Sequence, residues 1–327
     1  MREIIINQNE AGQRLDKFLT KYLNKSSKSN IYKLLRKKTI TINDKKKEAS
    51  YITALNDNIK IWISEETLAT LRDENKSTVT KKYDMPEILH DGSLAIIINK
   101  PAGMLSQKSS ATDISANEII CSYLAEHSSS DETRAFTPSI CNRLDRNTSG
   151  ILVAGKTLRG VQLLTELIRT RQIKKEYLAI VCGRVDSSML LKSYLKKDDS
   201  NKVHIYDECI EGSSYIETSY KPVGYVGDDT LLSIDLITGK THQIRAHLAH
   251  IAHPLLGDMK YGNRKYNEKH KARHQMLHAY RIGFPEMEEL GELSDADIYA
   301  PLPDEFKKRL KGITWLEGQR EVYEALL

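Results

Sequence analysis

The stretch Cys141-Asn142-Arg143-Leu144-Asp145-Arg146-Asn147-Thr148-Ser149-Gly150 lies directly before four apolar residues, Ile151-Leu152-Val153-Ala154. The apolar run predicts a buried strand, and the ten residues before it predict a polar loop at the mouth of that strand. Asp145 has arginines two positions before it and one position after it, so we expect these charges to hold its carboxylate ionised. Such a carboxylate can act as a nucleophile or a base, although loops of this composition more often form structural ion-pair networks.

The segments on either side of this loop predict several strands and fewer helices. Short aliphatic runs predict strands, and apolar residues three or four positions apart predict helices. Because the strands do not alternate strictly with helices, we predict an α+β fold rather than a doubly wound one. The predicted strands span about 94–98, 151–154, 177–181, 231–236 and 278–284, and the predicted helices span about 157–169 and 241–251.

The first 60 residues form a strongly basic segment. They carry 14 Lys and Arg against 6 Asp and Glu, whereas the whole chain of 327 residues has a formal net charge of only +5. Two predicted helices, the first over 13–23 and the second capped by Ser27 or Ser29, precede a small hairpin. Clustered ammonium groups neutralise phosphates, so this layout predicts an RNA-binding module, although a solvated basic face has the same composition. The candidate RNA contacts are Lys33, Arg36, Lys37 and Lys38.

Composition also predicts the domain boundaries. We expect the RNA-binding domain at 1–64 and a larger domain at 84–327. The segment 65–83 is polar and lacks sustained hydrophobic periodicity, so we expect it to be a linker.

Several classes of function lack support in the sequence. No glycine-rich phosphate loop or dinucleotide fingerprint is present, so we expect no nucleotide cofactor. The longest aliphatic run, 94–98, is too short to span a bilayer and the N-terminal residues soon turn polar, so we expect no membrane partner and a cytoplasmic location. Four widely spaced cysteines predict buried thiols in a reducing cytosol rather than disulfides or a zinc site.

A second polar cluster, Thr238-Gly239-Lys240-Thr241-His242-Gln243-Ile244-Arg245-Ala246-His247, joins a predicted strand to a predicted helix. We expect His242 and Arg245 to lie one turn apart on one face, with Arg245 directed away from the core. An arginine in the first turn of a helix can pair with a carboxylate or a phosphate.

A tyrosine, a lysine and a run of histidines are three further candidate site features, and a structural role can explain each of them. Tyr177 begins a predicted strand, where packing with a satisfied hydroxyl is the usual role. Lys100 ends a strand and can be structural. His247, His250 and His253 have a spacing that suggests a metal site, but no acidic base lies within the run, and we favour helix-end or backbone contacts and predict no metal.

Taken together and in this order, these elements resemble the RluA-type family of pseudouridine synthases, especially its large-subunit ribosomal RNA branch. The resemblance covers about 84–310, and the N-terminal segment looks like the small RNA-binding domain named after ribosomal small-subunit protein four. The matching stretches are Asn99-Lys100-Pro101-Ala102-Gly103, residues 142–150, Lys175-Glu176-Tyr177-Leu178, residues 238–248, His253-Pro254, Gly257-Asp258 and, at the N-terminus, Gln13-Arg14-Leu15-Asp16-Lys17-Phe18-Leu19.

The resemblance implies isomerisation of uridine to pseudouridine in RNA, expected to be 23S rRNA, by a catalytic domain at 84–327 with a central mixed, mostly antiparallel sheet. It assigns the catalytic aspartate to Asp145, the active-site tyrosine to Tyr177 and the arginine that pairs with the aspartate to Arg245. Arg143 matches an arginine that enters the base stack when the target nucleotide leaves it, and we count His242 among the expected RNA contacts. Isomerisation needs no hydride, phosphate or net water, so no cofactor is expected.

Two positions depart from the family pattern, and some alternatives stay open. Asn142 stands where the family commonly has His, and Asn147 stands where it commonly has Asp. Asp145 could attack the sugar or assist elimination, and Tyr177 could be a base or a ring packed on uracil. The alternative functions are a non-catalytic RNA-binding or ribosome-assembly factor and a metal hydrolase built on the histidine run.

Overall fold

The computed structural model describes residues 1–73, 83–127, 136–200 and 202–326. The N-terminal unit contains a three-stranded antiparallel sheet in the order β1-β3-β2. Its strands are β1 (Arg2–Ile5), β2 (Ile40–Ile42) and β3 (Asn58–Ile61), and its helices are α1 (Leu15–Tyr22), α2 (Lys28–Arg36) and α3 (Glu65–Leu71).

The helices of this unit form where apolar spacing and capping coincide. In α1 the buried side chains are Leu15, Phe18, Leu19 and Tyr22, the stripe that the sequence predicts. Ser27 begins α2 by accepting a hydrogen bond from the Asn30 amide at 3.2 Å, so it is the cap. The buried faces of α1, α2 and the sheet meet in one apolar cluster that holds the unit together.

The segment expected to be a linker starts with a helix. Ser64 caps α3 by accepting from the Thr67 amide, and Leu68 of α3 is buried in the core of the N-terminal unit. The predicted linker start at residue 65 is therefore wrong, because one buried leucine and a serine cap suffice to fix this short helix. Residues 74–82 of the predicted linker lie outside the described residues.

The larger unit is built on a twelve-stranded sheet. Its strands are β4 (Ile88–Asp91), β5 (Ala95–Lys100), β6 (Ser139–Ile140), β7 (Ser149–Gly155), β8 (Lys174–Val181), β9 (Met189–Lys197), β10 (Val203–Tyr206), β11 (Ser214–Val226), β12 (Asp229–Asp235), β13 (Leu277–Gly283), β14 (Asp297–Tyr299) and β15 (Thr314–Trp315). Its helices are α4 (Ala116–His127), α5 (Leu158–Arg169), α6 (Gln243–His250), α7 (Arg264–Lys269), α8 (Asp304–Arg309) and α9 (Arg320–Tyr323).

The strand order along the main path of this sheet is β10-β9-β11-β12-β8-β13-β7-β5-β4, with β6, β14 and β15 paired to β7, β13 and β11. In the described residues β13 and β7 pair in parallel and the other neighbours are antiparallel. The expected α+β fold with a mixed, mostly antiparallel sheet is confirmed. The strands β9, β10 and β11 were not predicted.

Apolar layers cover both faces of the central strands. Ile96, Ile98 and Leu152 pack on one face, in the cluster that includes α4 and α6 residues. Ile97 and Val153 pack on the opposite face with Leu164 and Leu167 of α5. Burial on both sides explains why β5 and β7 are continuous apolar runs rather than alternating ones. Within the described ranges, no helix combines the length and hydropathy needed to cross a membrane.

Gly150, the last residue of the stretch 141–150 and the second residue of β7, permits the pairing of β7 with β13. It has φ +110° and lies opposite Ala279, and a Cβ there would collide with the Ala279 backbone. Only glycine combines this backbone conformation with so close an approach.

We predict that Gly150→Ala lowers the free energy of unfolding by about 3 kcal/mol, because overpacking against backbone adds to conformational strain. Urea unfolding followed by circular dichroism measures the loss. Gly227→Ala is the matched control, since Gly227 also has positive φ (+60°) but a Cβ there meets nothing within 4 Å. Equal losses for the two variants would contradict the steric argument.

Candidate active site

A cleft of about 510 Å³ lies where the loop before β7 (141–148), β8 and the start of α6 meet. Among its lining residues are Asp145, Tyr177, His242, Arg245 and Arg143. The structure therefore brings together all five predicted site residues of the larger unit. The other predicted RNA contacts, Lys33, Arg36, Lys37 and Lys38, are exposed on and just after α2 and do not line this cleft.

Asp145 is paired with Arg245, not with the arginines beside it in sequence. Arg245 donates from Nη1 to Asp145 Oδ2 at 2.8 Å. Arg146 instead donates from Nε to the Gly103 carbonyl at 3.2 Å, and Arg143 is exposed and has no polar partner among the described residues. Asp145 thus has Arg245 as its counter-charge, whereas Arg143 and Arg146, the residues expected to hold the carboxylate ionised, form no ion pair with it among the described residues.

Arg245 is buried rather than directed away from the core, with only 8% of its surface exposed. Its guanidinium also makes a two-pronged contact with Asp258, from Nε to Oδ2 at 2.7 Å and from Nη2 to Oδ1 at 3.0 Å. Burial lowers the pKa of Arg245, but the hydrogen bonds and charges of Asp258 and Asp145 outweigh it and raise the pKa overall. The arginine is thus a fixed positive charge between two carboxylates.

Asp258 is a site residue that the sequence did not single out for a role. It is fully buried and accepts hydrogen bonds from the amides of Lys260 and Tyr261 at 2.8 and 3.1 Å. Burial raises the pKa of Asp258, while Arg245 and these amides lower it and prevail. The only sequence signal is the Gly257-Asp258 turn, which spacing alone does not connect to Arg245.

His242 lies at the cleft just before α6. Its backbone is left-handed (φ 57°, ψ 15°) and α6 begins at Gln243, so His242 is not on the same helical face as Arg245, contrary to expectation. Its Nδ1 lies 2.9 Å from the Tyr261 hydroxyl, and its Nε2 lies 3.9 Å from Asp145 Oδ2. Burial lowers the pKa of His242, although the charge of Asp145 opposes the shift. The lowered pKa favours the neutral imidazole.

Tyr177 lies in β8 with 6% of its surface exposed. Burial, and secondarily the charge of Asp145, raise the pKa of its hydroxyl. Tyr177 therefore carries a protonated phenol at neutral pH. Its hydroxyl has no hydrogen-bond partner among the described residues, and the side chain lines the cleft, so the hydroxyl can donate to a bound molecule.

Lys100 ties two loops beneath the site together. Its buried Nζ donates to the carbonyls of Pro101 and Met104 at 2.9 Å and of Arg146 at 3.2 Å. Burial lowers the pKa of Lys100 to about 7, and the charge of Asp145 opposes that shift. Three carbonyl acceptors match the three donors of the ammonium form, so Lys100 is structural, as its position at the end of a strand suggested.

Asn142 accounts for one departure from the expected family pattern. Its amide donates to the Ile151 carbonyl at 3.2 Å and accepts from the Val153 amide at 2.8 Å. Its side chain therefore fastens the loop to β7. No contact in the described residues assigns a role to Asn147.

The histidine run does not converge on one point. His247 is buried beside Thr218 and Ser193, His250 pairs with Asp207, and His253 contacts the Cys182 carbonyl. No group of three or more metal-ligating side chains occurs in the part of the chain that the structure describes. Contrary to the expectation of four buried thiols, Cys121, Cys141 and Cys182 are half-buried and Cys209, in the connection between β10 and β11, is exposed.

Known proteins resemble this chain in sequence and in fold. Residues 94–250 match the model of a family described as RNA pseudouridylate synthase. Ribosomal large subunit pseudouridine synthase C from Buchnera aphidicola is 32% identical, with 94% of this chain and 96% of that protein covered. The protein of the same name from Pasteurella multocida is 30% identical, with 95% and 93% covered.

Solved structures share the fold over much of this chain. The human RNA pseudouridylate synthase domain containing 4 superposes with a TM-score of 0.56 at 24% identity, over 69% of this chain and 92% of that one. The human RNA pseudouridylate synthase domain containing 1 gives the same TM-score at 20% identity, over 73% and 94%. Because both sequence identities are below 25%, these two comparisons show a shared fold only.

We predict that Asp258→Asn destabilises the protein by about 3 kcal/mol, because it leaves Arg245 as a buried charge with one carboxylate fewer. Urea unfolding at pH 7 provides the measurement. The matched control is Asp297→Asn, which removes an ion pair to Arg281 of the same 2.7 Å length at a carboxylate that is 40% exposed, where we expect less than about 1 kcal/mol. Similar losses for both variants would contradict the buried network.

We also predict that stability falls as pH decreases below about 6.5. Burial lowers the pKa of His247 to about 4, so the unfolded chain binds a proton near pH 6.5 that the folded chain does not bind until about pH 4. Between pH 7 and pH 5 the parent should lose about 2 kcal/mol more than His247→Gln. His274→Gln, at an exposed position away from this helix, is the control and should follow the parent, and the idea fails if His247→Gln does so too.

Proposed function

The chain belongs to the RNA pseudouridylate synthase family, and from that premise we propose that it isomerises uridines of large-subunit (23S) ribosomal RNA through Asp145. The observation that carries the proposal is the cleft in which Arg245 holds Asp145, with Tyr177 in the same lining. The protein is accordingly an isomerase, and we place its work in the cytoplasm, where ribosomal RNA is available.

The reaction rearranges bonds within one nucleotide. The bond between uracil N1 and the ribose C1′ breaks, a bond between uracil C5 and C1′ forms, C5 loses its proton and N1 gains one. Asp145 supplies the anionic oxygen near the anomeric centre. Its Oδ2 is engaged by Arg245, which leaves Oδ1 without a hydrogen bond among the described residues and free to approach the sugar or its proton.

Arg245 acts as a positioning residue in this scheme. Its two bonds to buried Asp258 fix the guanidinium before any substrate arrives, so Asp145 is oriented at no further cost on binding.

Tyr177 serves as a ring against the uracil and as a hydrogen-bond donor. Its raised pKa disfavours the phenolate that a general base requires. Between the two roles left open by sequence, packing is therefore the better supported.

Arg143 assists the flipping of the target nucleotide. Its side chain is exposed at the cleft and lacks a polar partner in the described residues, so it is available to enter the stack that the uridine leaves. Extruding a base costs a few kcal/mol, which an inserted planar guanidinium offsets. His242 and the exposed Lys240 line the same cleft and contribute further contacts to the RNA.

The N-terminal unit supplies sequence-independent affinity. Four exposed basic residues lie in the second half of α2 and directly after it, an arrangement that suits phosphate neutralisation: Lys33, Arg36, Lys37 and Lys38. We propose residues 1–73 as the RNA-binding domain and the unit from residue 83 onward as the catalytic domain.

We expect Asp145→Asn to keep its affinity for RNA and to lose at least about 10³-fold in turnover, because the reacting anion is removed while the fold is kept. Tritium release from 5-³H-uridine-labelled 23S rRNA, prepared from cells lacking this protein, measures turnover. Asp297→Asn, a surface carboxylate outside the cleft lining, is the control and should match the parent.

Two outcomes would contradict this scheme. Unchanged tritium release by Asp145→Asn would refute the role of that residue. RNA binding without tritium release by the parent protein, on 23S rRNA and on 16S rRNA alike, would favour the non-catalytic ribosome-assembly alternative.

A further inference from the structure

An exposed tryptophan lies at the end of the small sheet, outside the site described so far. Trp62 directly follows β3, and 51% of its surface is accessible. Its indole N–H donates to Thr41 Oγ1 at 3.3 Å, and its backbone N–H donates to the Thr39 carbonyl at 2.8 Å. The ring is therefore anchored at its polar edge, and a large part of its apolar surface faces solvent.

The backbone contact with Thr39 joins Trp62 to the residue that follows the basic run. Thr39 immediately follows Lys37 and Lys38, both exposed at the end of α2. Lys60, two residues before Trp62 on the same face of β3, forms ion pairs with Asp44 and Glu3. Lys60 thus engages two carboxylates of the small sheet, while Lys37 and Lys38 have no carboxylate partner among the described residues.

A single exposed aromatic residue is common on protein surfaces. Here the indole N–H is bonded to Thr41, the backbone of Trp62 is bonded to Thr39, and two exposed lysines directly precede Thr39 in the chain. An aromatic face beside a basic groove is the combination that binds unpaired nucleotides, because the ring stacks on a base and the cations bind the neighbouring phosphates.

We propose that Trp62 stacks on an unpaired base of the RNA substrate while Lys37 and Lys38 contact the adjoining phosphates. This inference rests on the proposed function only in taking RNA as the partner. The contact is part of the N-terminal unit and contributes affinity without taking part in the chemistry.

The chain has two tryptophans, Trp62 and Trp315, so fluorescence can report the contact. In Trp62→Phe, Trp315 is the remaining indole, and the difference between parent and variant isolates the Trp62 signal. We expect a single-stranded 12-nucleotide RNA to quench that difference signal and a duplex of the same length to leave it unchanged. No quenching by the single strand would overturn the proposal.

Binding and catalysis then separate the roles. Trp62→Ala should raise the Kd for the single strand at least about fivefold, whereas Trp62→Phe should recover most of the loss. With 23S rRNA at saturation, kcat should be unchanged in both. If the parent isomerises no uridine, the proposed function fails, yet the binding measurements still test Trp62.

Two control variants test whether the loss of affinity is specific to stacking on Trp62. Tyr32→Ala removes an aromatic ring of similar exposure (47%) in the same unit, but its hydroxyl is bonded to the carboxylate of Asp16, so we expect little change in Kd. Replacing both Lys37 and Lys38 by Gln should reduce the slope of log K against log salt by about 1.4, while Trp62→Ala should leave that slope unchanged. Equal effects of Trp62→Ala and Tyr32→Ala would refute a specific stacking site.

Discussion

The guanidinium of Arg245 joins three segments of the chain, one of which lies 100 residues before it. It connects the loop before β7 through Asp145, the start of α6 through its own backbone and the turn after α6 through Asp258. Burying these charges costs desolvation energy, and the geometry offsets it only because a planar guanidinium meets carboxylate oxygens along several edges. A lysine would present a single point of charge and could not orient both aspartates.

Periodicity and capping predicted the local elements well, because both depend on neighbours within one or two turns. The apolar stripe of α1, the Ser27 cap and the cores of β5, β7, β8, β12 and β13 follow from the sequence. The predicted set Asp145, Tyr177 and Arg245 also lines one cleft. This set was predicted from the order of several motifs along the chain, because no single motif was specific enough to predict a site.

The remaining features depend on contacts that local spacing does not contain. Arg143 and Arg146 are nearer to Asp145 in sequence than Arg245 is, yet Arg245, 100 residues away, forms the ion pair. The left-handed backbone of His242 and the role of Asp258 likewise arise from tertiary packing around the guanidinium. The strands β9 and β11 do alternate buried and exposed residues, but many of their positions hold Lys, Ser, Thr or Glu, so they contain no aliphatic run of the kind that predicted the other strands.

The position of β13 has a consequence for how this protein is made. β7 and β8 are separated by only a short helical connection in sequence, but β13 lies between them in the sheet. During synthesis the centre of the sheet therefore stays open until residues 277–283 have left the ribosome. Until then β7 and β8 present unpaired apolar edges, which are prone to wrong pairing. The nascent chain therefore carries these open edges from the completion of β8 at Val181 until β13 is complete at Gly283, and has to be kept from aggregating over that interval.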